Sequence, residues 1–199
     1  MARVLPGPRS SPVLLNVGSG IYSIGDQRWT EVSLDLFVSP LRGQFLSVCG
    51  KGEELPFGSA AFGAIVCVGE VLGYSDPSAM LRQFRRVIEK DGVLILDYRS
   101  TLSPRFWFKD TFGRMADLVW DEYNGSSERT WVYSPSYVSG LLRDSNFAIQ
   151  NISSVHRTSA IIRRCGFSSN LAVSIEQTLS IPLVPKRLGD LILVAARAS

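Results

Sequence analysis

The run Val13-Leu14-Leu15-Asn16-Val17-Gly18-Ser19-Gly20 constrains this chain more than any other stretch. A short apolar segment ending in Gly-x-Gly reads as a buried parallel strand followed by a sharp turn. The glycines permit left-handed backbone and let a ligand lie against bare main chain. A second strand, Val32-Ser33-Leu34-Asp35-Leu36, ends in a carboxylate. In a doubly wound sheet that places Asp35 beside the turn, where it can accept both hydrogen bonds of a ribose diol. The two strands together point to a nucleoside-containing ligand.

The residues between them narrow the choice. A dinucleotide site needs a full helix directly after the glycine turn, because the helix N-terminus holds the pyrophosphate. The stretch Ile21-Tyr22-Ser23-Ile24-Gly25-Asp26-Gln27-Arg28-Trp29-Thr30 has no helical apolar stripe and is broken by Gly25, and Tyr22 stands where a third glycine would be wanted. A phosphate-free nucleoside such as S-adenosylmethionine (SAM) needs no helix dipole, so a NAD-binding reductase is disfavoured.

Further motifs follow in order: Trp29 before the second strand, Glu53-Glu54-Leu55-Pro56-Phe57 with Phe62-Gly63-Ala64-Ile65, then Val71-Leu72-Gly73-Tyr74-Ser75-Asp76-Pro77, and Arg85-Arg86-Val87-Ile88-Glu89-Lys90-Asp91-Gly92-Val93-Leu94-Ile95-Leu96-Asp97. With the Gly-x-Gly run, this series resembles the Rossmann-like class I SAM-dependent methyltransferases. The nearest group is the type 11 methyltransferase domain, in a short variant lacking the first helices. The resemblance covers roughly residues 12–100. It implies an α/β fold with a doubly wound, mostly parallel seven-stranded sheet and an antiparallel last strand. It also implies SAM as cofactor, bound by Gly18, Ser19, Gly20, Asp35, Leu36, Gly52, Glu53, Val68 and Gly69.

Two positions depart from that pattern. Asn16 stands where the family more often has an acid; its amide can orient the turn but offers no charge to the cofactor's ammonium. In Gly50-Lys51-Gly52-Glu53-Glu54-Leu55-Pro56-Phe57 the family's leading acid accepts a hydrogen bond from the adenine amino group. Lys51 has donors only and cannot accept it, which leaves the main chain of Gly52 and Glu53 to read the adenine edge.

The loop Val68-Gly69-Glu70-Val71-Leu72-Gly73-Tyr74 falls at the carboxyl end of a strand, where open sheets keep their ligands. Glu70 and Tyr74 are the candidates to face a substrate there, against a core-packing role for Tyr74 at a helix start. His156, the single histidine, is a candidate general base. Methyl transfer from a sulfonium can proceed by alignment and exclusion of water, so no metal ligands and no nucleophile are required. The acceptor is expected to be a small molecule with an O, N or C nucleophile, in a pocket built from about residues 100–187. Those residues interleave aromatics (Phe106, Trp107, Phe108, Phe112, Trp120, Tyr123, Trp131, Tyr133, Tyr137) with arginines; core packing is the plainer account of any one ring. The competing reading is a catalytically silent methyltransferase-fold subunit that binds or scaffolds.

At 199 residues, 45% hydrophobic and 20% charged, the chain reads as a single domain with a flexible arm at 1–11. Cys49, Cys67 and Cys165 lack metal-ligand spacing; Cys49 and Cys67 fall in expected strands and read as buried, reduced thiols of a cytoplasmic protein. No segment has signal-peptide or transmembrane length. The net charge of +3 is scattered, and Arg82, Arg85 and Arg86 read as a solvated helix face, which argues against nucleic acid as a partner.

Strands are expected at 13–17, 31–36, 45–48, 63–68, 93–98, 147–155 and 190–196. Helices are expected from Ser75 or Asp76 to a stop at Asp91-Gly92, from Ser134-Pro135 to Asp144, and over Phe106 to Trp120. Phe37 to Gln44 are too few for a crossover helix between the second and third strands. With the first helix also missing, one sheet face needs other cover. The expected cover is the segment Ser159 to Leu188 or a second chain, with a monomer favoured over a homodimer.

Overall fold

The run Val13–Val17 forms β1, and its buried side chains on both faces place it inside a sheet. The computed structural model describes residues 12–44, 46–123, 126–155 and 189–199. Among these, β2 (Thr30–Asp35), β3 (Ser47–Cys49), β4 (Phe62–Cys67), β5 (Ile88–Arg99), β8 (Phe147–Val155) and β9 (Leu191–Ala198) complete a seven-stranded sheet in the order β3-β2-β1-β4-β5-β9-β8. β6 (Ala116–Tyr123) and β7 (Ser126–Tyr133) form a separate two-stranded sheet.

β1 pairs in parallel with β2 (Asn16 opposite Ser33) and with β4 (Asn16 opposite Val66). β3 extends the sheet beyond β2, and β5 beyond β4, both in parallel. The last strand runs the other way. The start of β9 meets the end of β5, where Ser100 N–H donates to the Asp190 carbonyl at 2.9 Å. The end of β9 meets the start of β8, where Ser199 N–H donates to the Asn146 carbonyl at 3.1 Å. The expected mostly parallel sheet with an antiparallel final strand is the one found.

No helix joins β1 to β2; residues 18–29 form a loop. Between β2 and β3 there is no crossover helix, only a single turn, α1 (Val38–Leu41), which buries Leu41. One turn fits where a full crossover helix does not. Helix α2 (Pro77–Val87) begins as expected: Asp76 accepts N–H bonds from Ser78 (2.8 Å) and Ala79 (3.1 Å), with Pro77 in the first turn. Met80, Leu81, Phe84 and Val87 form its buried stripe. It ends at Val87, before the expected stop, because Ile88 already pairs with Phe62 in the sheet. The next pairing is Ala64 with Val93, so Glu89–Gly92 bulge out of β5, with Asp91 at φ 62°. Asp91-Gly92 therefore marks a bulge and not a helix end. The arginines of α2 are also more than a solvated face: Arg86 donates to the carbonyls of Leu55 (2.8 Å) and Phe57 (2.6 Å), and Arg85 to that of Ser199.

The helix expected over Phe106 to Trp120 does not form. A short 3-10 turn at Pro104–Phe106 is followed by left-handed backbone at Phe108 (φ 63°) and Gly113 (φ 77°), and β6 begins at Ala116. β6 and β7 pair in register from Ala116–Tyr133 to Tyr123–Ser126. The two residues between them in sequence, Asn124-Gly125, are the composition that favours a tight hairpin. Helix α3 (Pro135–Asp144) follows as expected, with Ser134 Oγ accepting from Tyr137 N–H at 3.2 Å.

The chain divides into two compact units. One holds residues up to 97 with 141–151 and 194–199; the other holds 98–140 and 152–193. Cys67 is buried but Cys49 is exposed, which corrects the reading of both as core thiols; the exposure follows from β3 being an edge strand. Cys165 and the proposed cover at 159–188 lie outside the described residues. No helix among the described residues is long and apolar enough to cross a membrane.

Candidate functional site

The first unit gathers its loops at the carboxyl ends of β1, β2, β3 and β4. Gly18 and Gly20 both have left-handed backbone (φ 66° and 55°), which only glycine adopts without strain. Gly18 is also sterically required: a Cβ there would lie 2.3 Å from Val71 Cγ2. That contact brings the turn after β1 against the turn after β4. At Gly20 a Cβ would meet nothing within 4 Å, so the side of the residue where a side chain would stand is open. Gly18 and Ser19 N–H both donate to the Leu34 carbonyl, at 2.8 and 3.2 Å, closing the turn onto β2.

Asp35 ends β2, nearly buried, and holds this turn. Its Oδ2 accepts the Gly20 N–H at 2.9 Å and its Oδ1 accepts the Phe37 N–H at 2.9 Å. Each oxygen keeps a second lone pair for a ligand hydroxyl. Gln44 clamps the same glycine from the other side, its Nε2 donating to the Gly20 carbonyl at 2.8 Å. Leu36, Phe37 and Val38 beyond Asp35, and Ile21 and Tyr22 beyond Gly20, are all exposed.

The loop that replaces the first helix is stapled by side chains. Asn16 donates to the Tyr22 carbonyl (3.1 Å) and to Glu31 Oε1 (2.7 Å). Glu31 Oε2 accepts from Ser23 Oγ (2.7 Å) and Ile24 N–H (2.9 Å). Asn16 thus holds the loop after the turn, at Tyr22, against β2.

After β3, Lys51 is exposed, and Gly50 N–H donates to the Asp35 carbonyl at 2.9 Å. Gly52 allows close approach of α2, where a Cβ would come within 2.7 Å of Met80 Cε. Glu53 Oε1 accepts the Asp76 N–H at 3.1 Å, tying this loop to the start of α2.

After β4, Val68 is half-buried, and Gly69 and Glu70 both take positive φ, 94° and 66°. Asp97, buried at the end of β5, accepts the Gly69 N–H on Oδ2 (3.0 Å) and the Glu70 N–H on Oδ1 (2.8 Å). Burial raises the Asp97 carboxyl above its ordinary pKa even against these two bonds, with the Glu70 charge adding to the rise. Burial likewise pushes the neighbouring Cys67 thiol up, reinforced by the Asp97 and Glu53 charges. Tyr74 is exposed on the 3-10 turn Val71–Tyr74, which overturns core packing as its role. His156 lies outside the described residues. No group of three or more His, Cys, Asp or Glu among the described residues is placed to hold a metal.

Gly18, Ser19, Gly20, Asp35 and Leu36 therefore meet in one cluster, and Val68, Gly69 and Glu70 in a second, joined through Gly18 and Val71. Gly52 and Glu53 are anchored to α2. Sequence reasoning missed Asp97, Gln44 and Glu31. Asp97 carried a usable signal, a carboxylate near the end of an apolar strand, akin to the one that marked Asp35.

Comparison with known proteins bears on the fold. Residues 30–96 match the family described as a methyltransferase domain. No curated protein matches the sequence. Among solved structures, a Listeria monocytogenes protein described as an S-adenosylmethionine-dependent methyltransferase shares 10% identity, with TM-score 0.69, over 99% of this chain and 94% of that one. An S-adenosylmethionine-dependent methyltransferase from Mesorhizobium loti shares 12% identity, TM-score 0.64, over 98% and 94%. Geranyl diphosphate C-methyltransferase from Streptomyces coelicolor shares 13% identity, TM-score 0.61, over 96% and 75%. Likeness at such identities speaks to the fold. The chain has the Rossmann-like fold of the class I SAM-dependent methyltransferases, and its residues 30–96 carry the sequence pattern of the methyltransferase domain.

Proposed function

We propose that this protein transfers a methyl group from SAM to an O, N or C nucleophile of a small-molecule acceptor. The observation that carries the reading is Gly20, open where a side chain would stand and fixed beside Asp35 at the carboxyl ends of the strands. Fit to the cofactor is supported by that bare cradle, by the free lone pairs of Asp35, and by the exposed apolar side chain of Leu36. Gly18, Ser19, Gly20, Asp35, Leu36, Gly52, Glu53, Val68 and Gly69 are the residues that would hold it. When bound, SAM supplies a methyl group already activated on a sulfonium.

The protein's part is then to bind, orient and exclude water. The preset turns after β1 and β4 provide orientation without reorganisation on binding. Glu70 and Tyr74, at the rim of the second turn, are the groups in this unit suited to meet an acceptor. Small-molecule acceptors are supported by analogy: two structural neighbours are described with S-adenosylhomocysteine bound beside geranyl diphosphate or 1,6-didemethyltoxoflavin. The free thiols Cys49 and Cys67 support a reducing, cytoplasmic setting.

A silent binding subunit is the second reading. It draws on the Asp35 carboxylate, both of whose oxygens already serve the loop, and on Lys51 at the adenine-acid position. Calorimetry with SAM, S-adenosylhomocysteine and NAD in parallel separates the readings. Binding of the first two and not NAD is expected. No binding of any of them favours the silent subunit, and NAD alone overturns both.

A further inference from the structure

Asp97 and Asp35 occupy equivalent places on either side of the central strand pair. Asn16 lies opposite both Ser33 and Val66, and Val66 lies opposite Ile95. Side chains two positions apart along a strand share a face, so Asp35 and Asp97 project from the same side of the sheet. Asp35 ends β2 and holds the turn after β1; Asp97 stands near the end of β5 and holds the turn after β4. Asp97 commits both oxygens to successive N–H groups of one turn. Both residues of that turn have positive φ, and Glu70 is not a glycine. A non-glycine residue persists there only where its surroundings over-determine the conformation. The two bonds from Asp97 are such a constraint.

We propose that Asp97 is a positioning residue of the cofactor site, its buried carboxylate fixing the main chain of Gly69 and Glu70 in the shape that a ligand meets. The ligand half of this inference rests on the methyl-transfer reading; the fixing of the turn does not. The test pairs S-adenosylhomocysteine calorimetry with amide hydrogen exchange, on wild type, Asp97→Asn and Asp97→Ala, well below each protein's melting temperature. A merely structural role would lower the melting temperature and leave the affinity of the folded protein unchanged.

The expected result is about tenfold weaker binding for Asp97→Ala, because the turn that meets the ligand loses both bonds that fix it. Asp97→Asn, which accepts through one oxygen only, should fall between, and exchange at Gly69 and Glu70 should quicken in both. Should Asp97→Ala fail to fold, the Asp97→Asn protein carries both comparisons. Wild-type affinity in the folded variants overturns the proposal, whatever the exchange at Gly69 and Glu70. If the wild type itself binds no S-adenosylhomocysteine, the cofactor reading fails. The exchange arm then tests only the fixing of the turn: faster local exchange supports it and unchanged exchange rejects it.

Discussion

Asp35 holds two main-chain N–H groups and keeps one lone pair on each oxygen for a ligand. Its replacement should therefore act twice, removing the ribose acceptor and freeing the Gly20 turn. Asp35→Ala is expected to weaken SAM or S-adenosylhomocysteine binding by about 1.5–3 kcal/mol, roughly ten- to a hundredfold, read by calorimetry. Unchanged affinity would remove Asp35 from the site. Gly18, Gly20 and Asp35 were legible in the sequence because each is a local mark at a strand end. Gln44 and Glu31 were not. Gln44 reaches Gly20 and Glu31 reaches Asn16 only after β1 and β2 have paired, so their roles depend on contacts distant in sequence.

At the scale of elements, the β6–β7 hairpin is anchored by charge. Asp121 on β6 pairs with Arg99 and with Arg105 (2.9 Å), and Arg105 also approaches Asp190 at 3.7 Å. Burial alone would raise the Asp121 carboxyl, but the hydrogen bonds and charges of the two arginines outweigh it and hold the pKa below the ordinary carboxylate value. A depressed folded-state pKa stabilises above the unfolded value and loses that stability as pH falls through the folded one. Asp121→Asn should therefore cost about 1 kcal/mol at neutral pH, a modest figure because the pair is partly solvated. The gap to wild type should close below about pH 4, as measured by denaturant unfolding across pH. A constant gap would assign the loss to packing. The hairpin itself was not legible. Aromatic residues at 106, 107, 108, 112 and 120 mimic helical spacing, and only pairing with β7 sets the strand period. β1, the start of α2 and α3 were legible because a buried apolar run and capping residues mark them locally. The end of α2 was misread because the same Asp-Gly pair that stops helices also builds bulges.

Across the whole chain, the missing first helix left a face of β1 and β2 in need of cover. Asn16 and Glu31 give that face a polar surface, and the loop 18–29 lies bonded to it. A loop so held needs no second chain, and light scattering over a concentration series is expected to show a monomer. A dimer persisting at submicromolar concentration would assign the remaining cover to another copy. The placement of β1 also sets an order in time. β6 and β7 are separated by two residues and can pair within microseconds. β1 leaves the ribosome first, yet its partner β4 follows only after residues 18–61 have been made. Until that loop closes, at the entropic cost of joining distant segments, β1 has only β2 beside it and its other edge stays open. The wait for β4 is thus an interval in which an unpaired strand edge is open to association with other chains.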